Sequence, residues 1–181
     1  MPNITKSDLA FLCLMASLFV VTARGSTQTS SSAATSTTSS AIDTRPPLVQ
    51  KAAAQFEAIA LDPQPVTDAE GNSKTPTDTA QWRMDSAQQF LRLGVWFKQH
   101  NDPTSALHAQ QKALSQLAIA AQKTNDASQP GLAAHRYELL GLASEQLLGD
   151  SSQAVSHFQN ALQHDPASTV AKTHVKKLSG G

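Results

Sequence analysis

Only one cysteine occurs in the 181 residues, Cys13, and it lies inside an apolar run near the amino terminus. If that run is removed, the remaining chain has no thiol, which excludes disulfides, cysteine nucleophiles and thiolate metal sites together. Aromatic residues are scarce, at 5%, and there are eight glycines. This composition argues against a β-sandwich or barrel. Charge of either sign is in balance, 14 basic against 14 acidic side chains. The zero net charge gives no global attraction to nucleic acid or anionic lipid. Paired carboxylates, a nucleophile beside a base and a glycine-rich phosphate loop are all missing from any convincing context. What is abundant is Ala, Gln, Leu and Ser, a mixture that suits helices. The length accommodates one ordinary domain with appendages.

Residues 1–25 read as an export signal or an N-terminal anchor. Lys6 and the amino terminus give a weakly basic start, "LAFLCLMASLFVV" from Leu9 to Val21 is apolar, and Val21 and Ala23 occupy the small-residue positions before a cut after Ala23. Thirteen helical residues at ~1.5 Å each reach roughly 20 Å, short of the ~30 Å hydrocarbon core. Retention as an anchor would recruit Thr22 and Ala23 as well, and Asp8 is unhelpful in a signal's basic region. The expected location is therefore outside the cytoplasm: periplasmic or extracellular after cleavage, membrane-anchored if the segment is kept. Cys13 follows Leu12 rather than a small residue, so it does not resemble a lipoprotein's acylation site.

Residues 26–45 are dominated by Ser and Thr and bury almost nothing, which predicts a flexible tether, with a glycosylated stalk as the sharper alternative. Residues 46–77 form the next unit. Leu48, Ala52, Phe56 and Ile59 recur at helical spacing behind two prolines, predicting an amphipathic helix over 48–61 that stops at Asp62-Pro63. From Asp62 to Thr77 three prolines and a Gly-Asn predict a long loop.

Residues 78–181 carry an internal repeat. "LGVWFKQHNDPTSALHAQQKAL" (Leu93–Leu114) and "LGLASEQLLGDSSQAVSHFQNAL" (Leu140–Leu162) align at a period of 47 or 48 residues, with one extra residue between Gly141 and Ala154. Such self-similarity points to stacked helical hairpins. At 100° per residue Ala154, Val155, Phe158, Ala161 and Leu162 share one stripe, and Ala106, Leu107, Ala113, Leu114, Leu117 and Ala121 form its counterpart. The small residues let a partner backbone approach, and Gly94 and Gly141 thin the partner at the crossing. Leu93, Trp96, Phe97, Phe90, Tyr137, Leu140 and Phe158 are the expected core. Ala171, Val175 and Leu178 space out a final capping helix, and the 48–61 helix is placed to cover the other end.

At these residues the chain resembles the tetratricopeptide repeat family, over roughly residues 86–179. The second repeat carries Tyr137, Leu140, Gly141, Gly149, Ala154, Phe158, Ala161 and Pro166; the first carries Leu93, Gly94, Phe97, Ala106 and Ala113. The period exceeds the family's usual 34, Gln110 replaces the usual aromatic, and Ser144 stands near the second aromatic position. The resemblance implies an all-α fold, a short solenoid of helix-turn-helix hairpins with a C-terminal capping helix. It also implies a concave groove lined by first helices that holds a peptide or helical segment of another protein. By alignment Gln88, Leu91, Val95, Gln99, His135, Glu138, Leu142 and Glu145 face that groove. The competing reading packs Leu91, Val95 and Leu142 on neighbouring helices. Leu91 and Val95 stand where the family's carboxylate-clamping relatives carry Lys and Asn, so an apolar or mixed peptide is expected.

The expected function is non-catalytic: a protein-interaction module or scaffold of an exported or envelope-associated assembly, without cofactor, metal or small-molecule substrate. A membrane-tethered assembly subunit working through its convex face or capping helix is the alternative, and an enzyme using a groove residue such as Glu138 is a third class. Of six histidines, His157 and His164 share a helix side, but seven residues at ~1.5 Å hold them about 10 Å apart, too far for one ion. Asp102 and Pro103 read as a helix start, and Lys172, Lys176 and Lys177 as a solvated helix end.

Overall fold

Helix boundaries follow from capping chemistry. Thr79 Oγ1 accepts the Trp82 N–H at 3.1 Å and opens one helix; Asp102 accepts from Ser105, Asp150 from Gln153 and Ser168 from Ala171 to open three more. Prolines occupy the first turn of three helices, where the missing N–H leaves no bond unmade. The resulting order, in a computed structural model that describes residues 43–68 and 70–180, is α1 (Pro47–Glu57), β1 (Val66–Thr67), β2 (Ser73–Lys74), α2 (Ala80–Gln99), α3 (Pro103–Lys123), α4 (Pro130–Leu142), a π-helical segment (Ala143–Leu148), α5 (Ser151–His164) and α6 (Thr169–Leu178). The fold is all-α, with one two-stranded ribbon among the described residues. The expectations for the signal, for Cys13 and for the Ser/Thr tether as far as residue 42 lie outside the described residues.

Residues Asp43–Pro63 and the chain from Thr77 onward form one compact unit. Within it α2 packs on α3 and α4 on α5, and α6 lies against α5. Both hairpin turns are built alike. Asn101 and Gly149 take left-handed φ of 57° and 71°, and the following aspartate N–H closes onto Phe97 O or Ser144 O at 2.9 Å. The aspartate then caps the next helix. Twelve residues separate Gly94 from Ala106 but thirteen separate Gly141 from Ala154. The extra residue is taken up by the π-helical segment, since a π turn accommodates one more residue than an α turn. Lys98 of α2 donates to the carbonyls of Gln146 and Leu147 at 3.0 and 3.4 Å, satisfying acceptors that the wider turn leaves open.

Close approach at the crossings explains the small residues. A Cβ on Gly141 would lie 2.7–2.9 Å from the Phe158 ring, and one on Gly94 would meet the Leu147 methyls at 3.1 Å. Ala113, Ala154 and Ala161 are fully buried. Around them the first hairpin buries Phe90, Leu93, Trp96 and Phe97. Phe56 of α1 inserts edge-on, with ring centroids 6.2 Å from Phe90 and 5.4 Å from Phe97. Each such burial contributes roughly 1.5–3 kcal/mol. The second hairpin gathers Ala154, Phe158, Ala161 and Ala171, with Tyr137, Leu142, Leu162, Val175 and Leu178 partly buried on them.

Several expectations are corrected. The first helix ends at Glu57, not residue 61, and buries Val49, Ala52, Ala53 and Phe56 rather than Leu48 and Ile59. Its end is fixed by side chains from the hairpin: Lys112 donates to the carbonyls of Phe56, Glu57 and Ile59, and Gln116 Nε2 to Leu61 O at 2.6 Å. These bonds replace the helical partners the carbonyls would otherwise need. On α3 the buried stripe is Ala106, Ala109, Ala113, Leu117 and Ala120, while Leu107 is 51% exposed. Tyr137 and Leu140 are half-buried. The segment expected as loop contains the ribbon, pairing Val66 with Lys74 and Thr67 with Ser73.

That ribbon belongs to a separate unit, Gln64–Pro76, and is described by itself. Asp68 makes its turn: the carboxylate accepts the N–H groups of Glu70 and Asn72, and Gly71 takes φ 88°. The Asn72 N–H holds the Asp68 carboxyl below its ordinary pKa.

Candidate interaction surface

The residues aligned with a groove lie along α2 and along α4 with its π continuation. On α2, Leu91 is buried, Gln88 and Val95 are half-buried, and Gln99 is exposed at the helix end. Neither Gln88 nor Gln99 makes a side-chain hydrogen bond among the described residues. Leu91 belongs to the packing of the unit. The strip that α2 offers is thus Gln88, Val95 and Gln99.

The second half has an intramolecular occupant. Ser168 Oγ donates to Glu138 Oε1 at 2.5 Å, with His135 Nδ1 3.4 Å from the other oxygen. Glu145, one turn beyond Leu142, accepts from Lys177 Nζ at 2.7 Å and lies 2.5 Å from His174 Nδ1. Burial opposes ionisation of Glu145, and the Lys177 and His174 hydrogen bonds outweigh it, holding the carboxyl below its ordinary pKa. The His174 ring also stacks on Phe158, with centroids 4.7 Å apart. His135, Glu138, Leu142 and Glu145 are therefore brought together, but on the side where α6 sits.

Ser168, His174 and Lys177 complete this arrangement, and sequence reasoning did not single out the first two. The available signal was Ser168 three residues before Ala171, a cap at the start of the final helix. Lys177, read as a solvated end, is ion-paired; Lys172 and Lys176 are exposed.

A second polar centre, also unforeseen, surrounds Arg83, which is only 3% exposed. All five of its N–H donors are used. Nε and Nη2 bind the Asp78 carboxylate at 2.6 and 2.7 Å, Nη2 also binds Asp62, and Nη1 binds Leu61 O and Gln116 Oε1. Arg83 hydrogen bonds, aided by Lys123 and working against burial, lower the Asp78 carboxyl to about 2. The arrangement ties Leu61 and Asp62 to Asp78 and so closes the chain across the intervening excursion. Arg83 shares a stripe with Ala87, Phe90, Gly94 and Phe97 at intervals of four and three, so a charge at the head of an apolar stripe was the readable sign.

Elsewhere, Arg136 pairs with Asp126 at 2.8 Å and lies over the Tyr137 ring, which stacks between His157 and His164 at centroid distances of 6.4 and 5.5 Å. Burial pushes the His157 pKa down. Among the described residues no three His, Cys, Asp or Glu side chains form a group that could hold a metal ion. No helix among them is long and apolar enough to cross a membrane. Neither a protein-family model, nor a curated protein, nor a solved structure gives a significant match to the chain.

Proposed function

We propose that the chain is a non-catalytic protein-interaction module of the tetratricopeptide type, exported and acting as a scaffold for an assembly at or beyond the cell envelope. The observation that carries the reading is the pair of like-built hairpins closely packed at Gly94 and Gly141, with a strip on α2 of a half-buried valine and two amides that make no side-chain hydrogen bond among the described residues, Val95, Gln88 and Gln99. Such a strip suits an extended or helical peptide: Val95 supplies apolar contact, and the two amides supply both donors and acceptors without a charge to select against either sign. The order of the chain, with an export signal or anchor and a Ser/Thr tether ahead of the module, supports a module held away from its attachment point.

Selection of peptides from a displayed library against the full chain tests this. Val95→Asp together with Gln99→Glu is expected to weaken a selected peptide by at least about tenfold, equivalent to ~1.4 kcal/mol. A peptide whose affinity ignores both changes does not use the strip. The second reading, a tethered assembly subunit contacting its neighbours through α6, is favoured by Val170, which is 42% exposed on that helix. Under it, Val170→Asp abolishes assembly and Val95→Asp does not.

A further inference from the structure

The helix that covers the second half of the surface is held differently from the rest of the core. Ten residues are too few for a stable isolated helix, so α6 is helical because it is docked. Of its apolar residues only Ala171 is fully buried; Val175 and Leu178 are partly covered and Val170 is exposed. The hold is completed by polar contacts: Ser168 to Glu138, and His174 and Lys177 to Glu145. The link to α5 is short, Asp165 to Ser168, and is closed by Asp165 accepting the N–H groups of Ala167 and Ser168.

We propose that α6 is a built-in competitor, and that the face around Leu142, flanked by Glu138 and Glu145, takes in its place an amphipathic helix of the same chemistry from another protein. The occupant is specified by what the face now holds. It carries a hydroxyl near its start, a small residue three positions later, an apolar pair spaced as Val175 and Leu178 are, and a cation beside that pair. Two carboxylates spaced by seven residues flank an apolar centre, so they select a basic helix over an acidic one by charge complementarity. The inference rests on the binding-module reading and assigns it a ligand class and a form of regulation: binding requires α6 to leave, so affinity is reduced by the fraction of molecules in which it is docked.

The test uses the full chain and a fluorescent synthetic peptide spanning Ser168 to Leu178. Val175→Asp with Leu178→Asp undocks α6 without altering the acceptor face. By fluorescence anisotropy the peptide is expected to bind this variant at least about tenfold more tightly than the wild type, and adding Glu145→Lys is expected to remove the gain. A Lys177→Glu peptide is expected to bind more weakly than the parent. Equal affinity for the folded variant and the wild type would overturn the proposal. So would a variant that loses its helical circular dichroism, because α6 would then be inseparable from the core. A concentration-dependent dimer of the variant that binds no peptide would also overturn it, in favour of a second copy of this chain as occupant. None of these readouts involves Val95 or Gln99, so the strip on α2 can fail while this face succeeds, and the reverse.

Discussion

The two hairpins share one backbone plan and are closed with different shares of apolar and polar contact. At the first, α1 drives a fully buried phenylalanine into two others, and Lys112 lies over the Phe56 ring, 4.4 Å from its centroid. At the second, α6 brings one fully buried alanine, the partly buried Val175 and Leu178, the His174 ring stacked on Phe158, and a set of hydrogen bonds to two glutamates. Apolar closure is strong and hard to exchange, whereas polar closure in partial contact with water is weak in net terms and specific in direction. The difference teaches where such a fold has its weaker closure. The first end is part of the core, and the second is the end where we place the proposed exchange of helices.

The largest effects should fall on the aromatic anchors. Phe56→Ala and Phe158→Ala are each expected to cost about 3–5 kcal/mol, read from urea unfolding midpoints. A small effect for Phe56→Ala would break the comparison by making α1 a detachable cover. Next comes Arg83→Met. It leaves the buried Gln116 Oε1 without its donor, at about 1–3 kcal/mol if unpaired, while Leu61 O keeps the Gln116 Nε2 donor. Faster amide exchange in residues 58–62 should accompany the loss, and unchanged exchange there would show that Arg83 does not close the chain.

The glycines sharpen the contrast between crossings. Gly141→Ala forces a methyl against the rigid Phe158 ring, and overpacking of that kind costs about 1–3 kcal/mol. Gly94→Ala meets the flexible end of Leu147 at 3.1 Å and the Ala106 carbonyl at an ordinary contact distance of 3.4 Å, so its helix-propensity gain of roughly 0.5–1 kcal/mol should offset the strain and leave the midpoint nearly unchanged. Equal effects would mean that the two crossings are not distinguished by their neighbours.

The smallest effect is the acid limb. Asp78 has its carboxyl lowered from 3.8 to about 2 by Arg83, so the folded state binds its proton less readily than the unfolded chain. Its contribution is present above about pH 4 and is lost as pH falls toward about 2. Carboxyl NMR should show its midpoint near 2, and Asp78→Asn should flatten stability over that window. A midpoint near 4 would contradict the ion pair with Arg83.

Much of this was legible in the chain. The matching Leu-Gly, Asp and Ala-Leu positions specify two hairpins, and Asp102, Asp150 and the prolines specify where helices begin. What misled was phase. Helix α3 carries alanines at 106, 109, 113, 118, 120 and 121, on more than one face, and alanine contributes so little hydrophobic contrast that Leu107 pulled the predicted stripe toward solvent. The extra residue after Gly141 was visible, but its absorption by a π turn depends on Lys98 reaching two carbonyls from another helix. Likewise, the early end of α1 depends on Lys112 and Gln116, distant in sequence. The groove residues were legible as a face of α2 and α4, but not their occupancy, because the apolar content of α6 is too slight to announce where it docks.

Residue-resolved native-state hydrogen exchange of the full chain tests the contrast most directly. The account predicts that the amides of α6 exchange by local opening, at a free energy well below that of α4 and α5, while those of α1 exchange only with the hairpin it anchors. Protection of α6 equal to that of α5, moving with it under denaturant, would contradict the account.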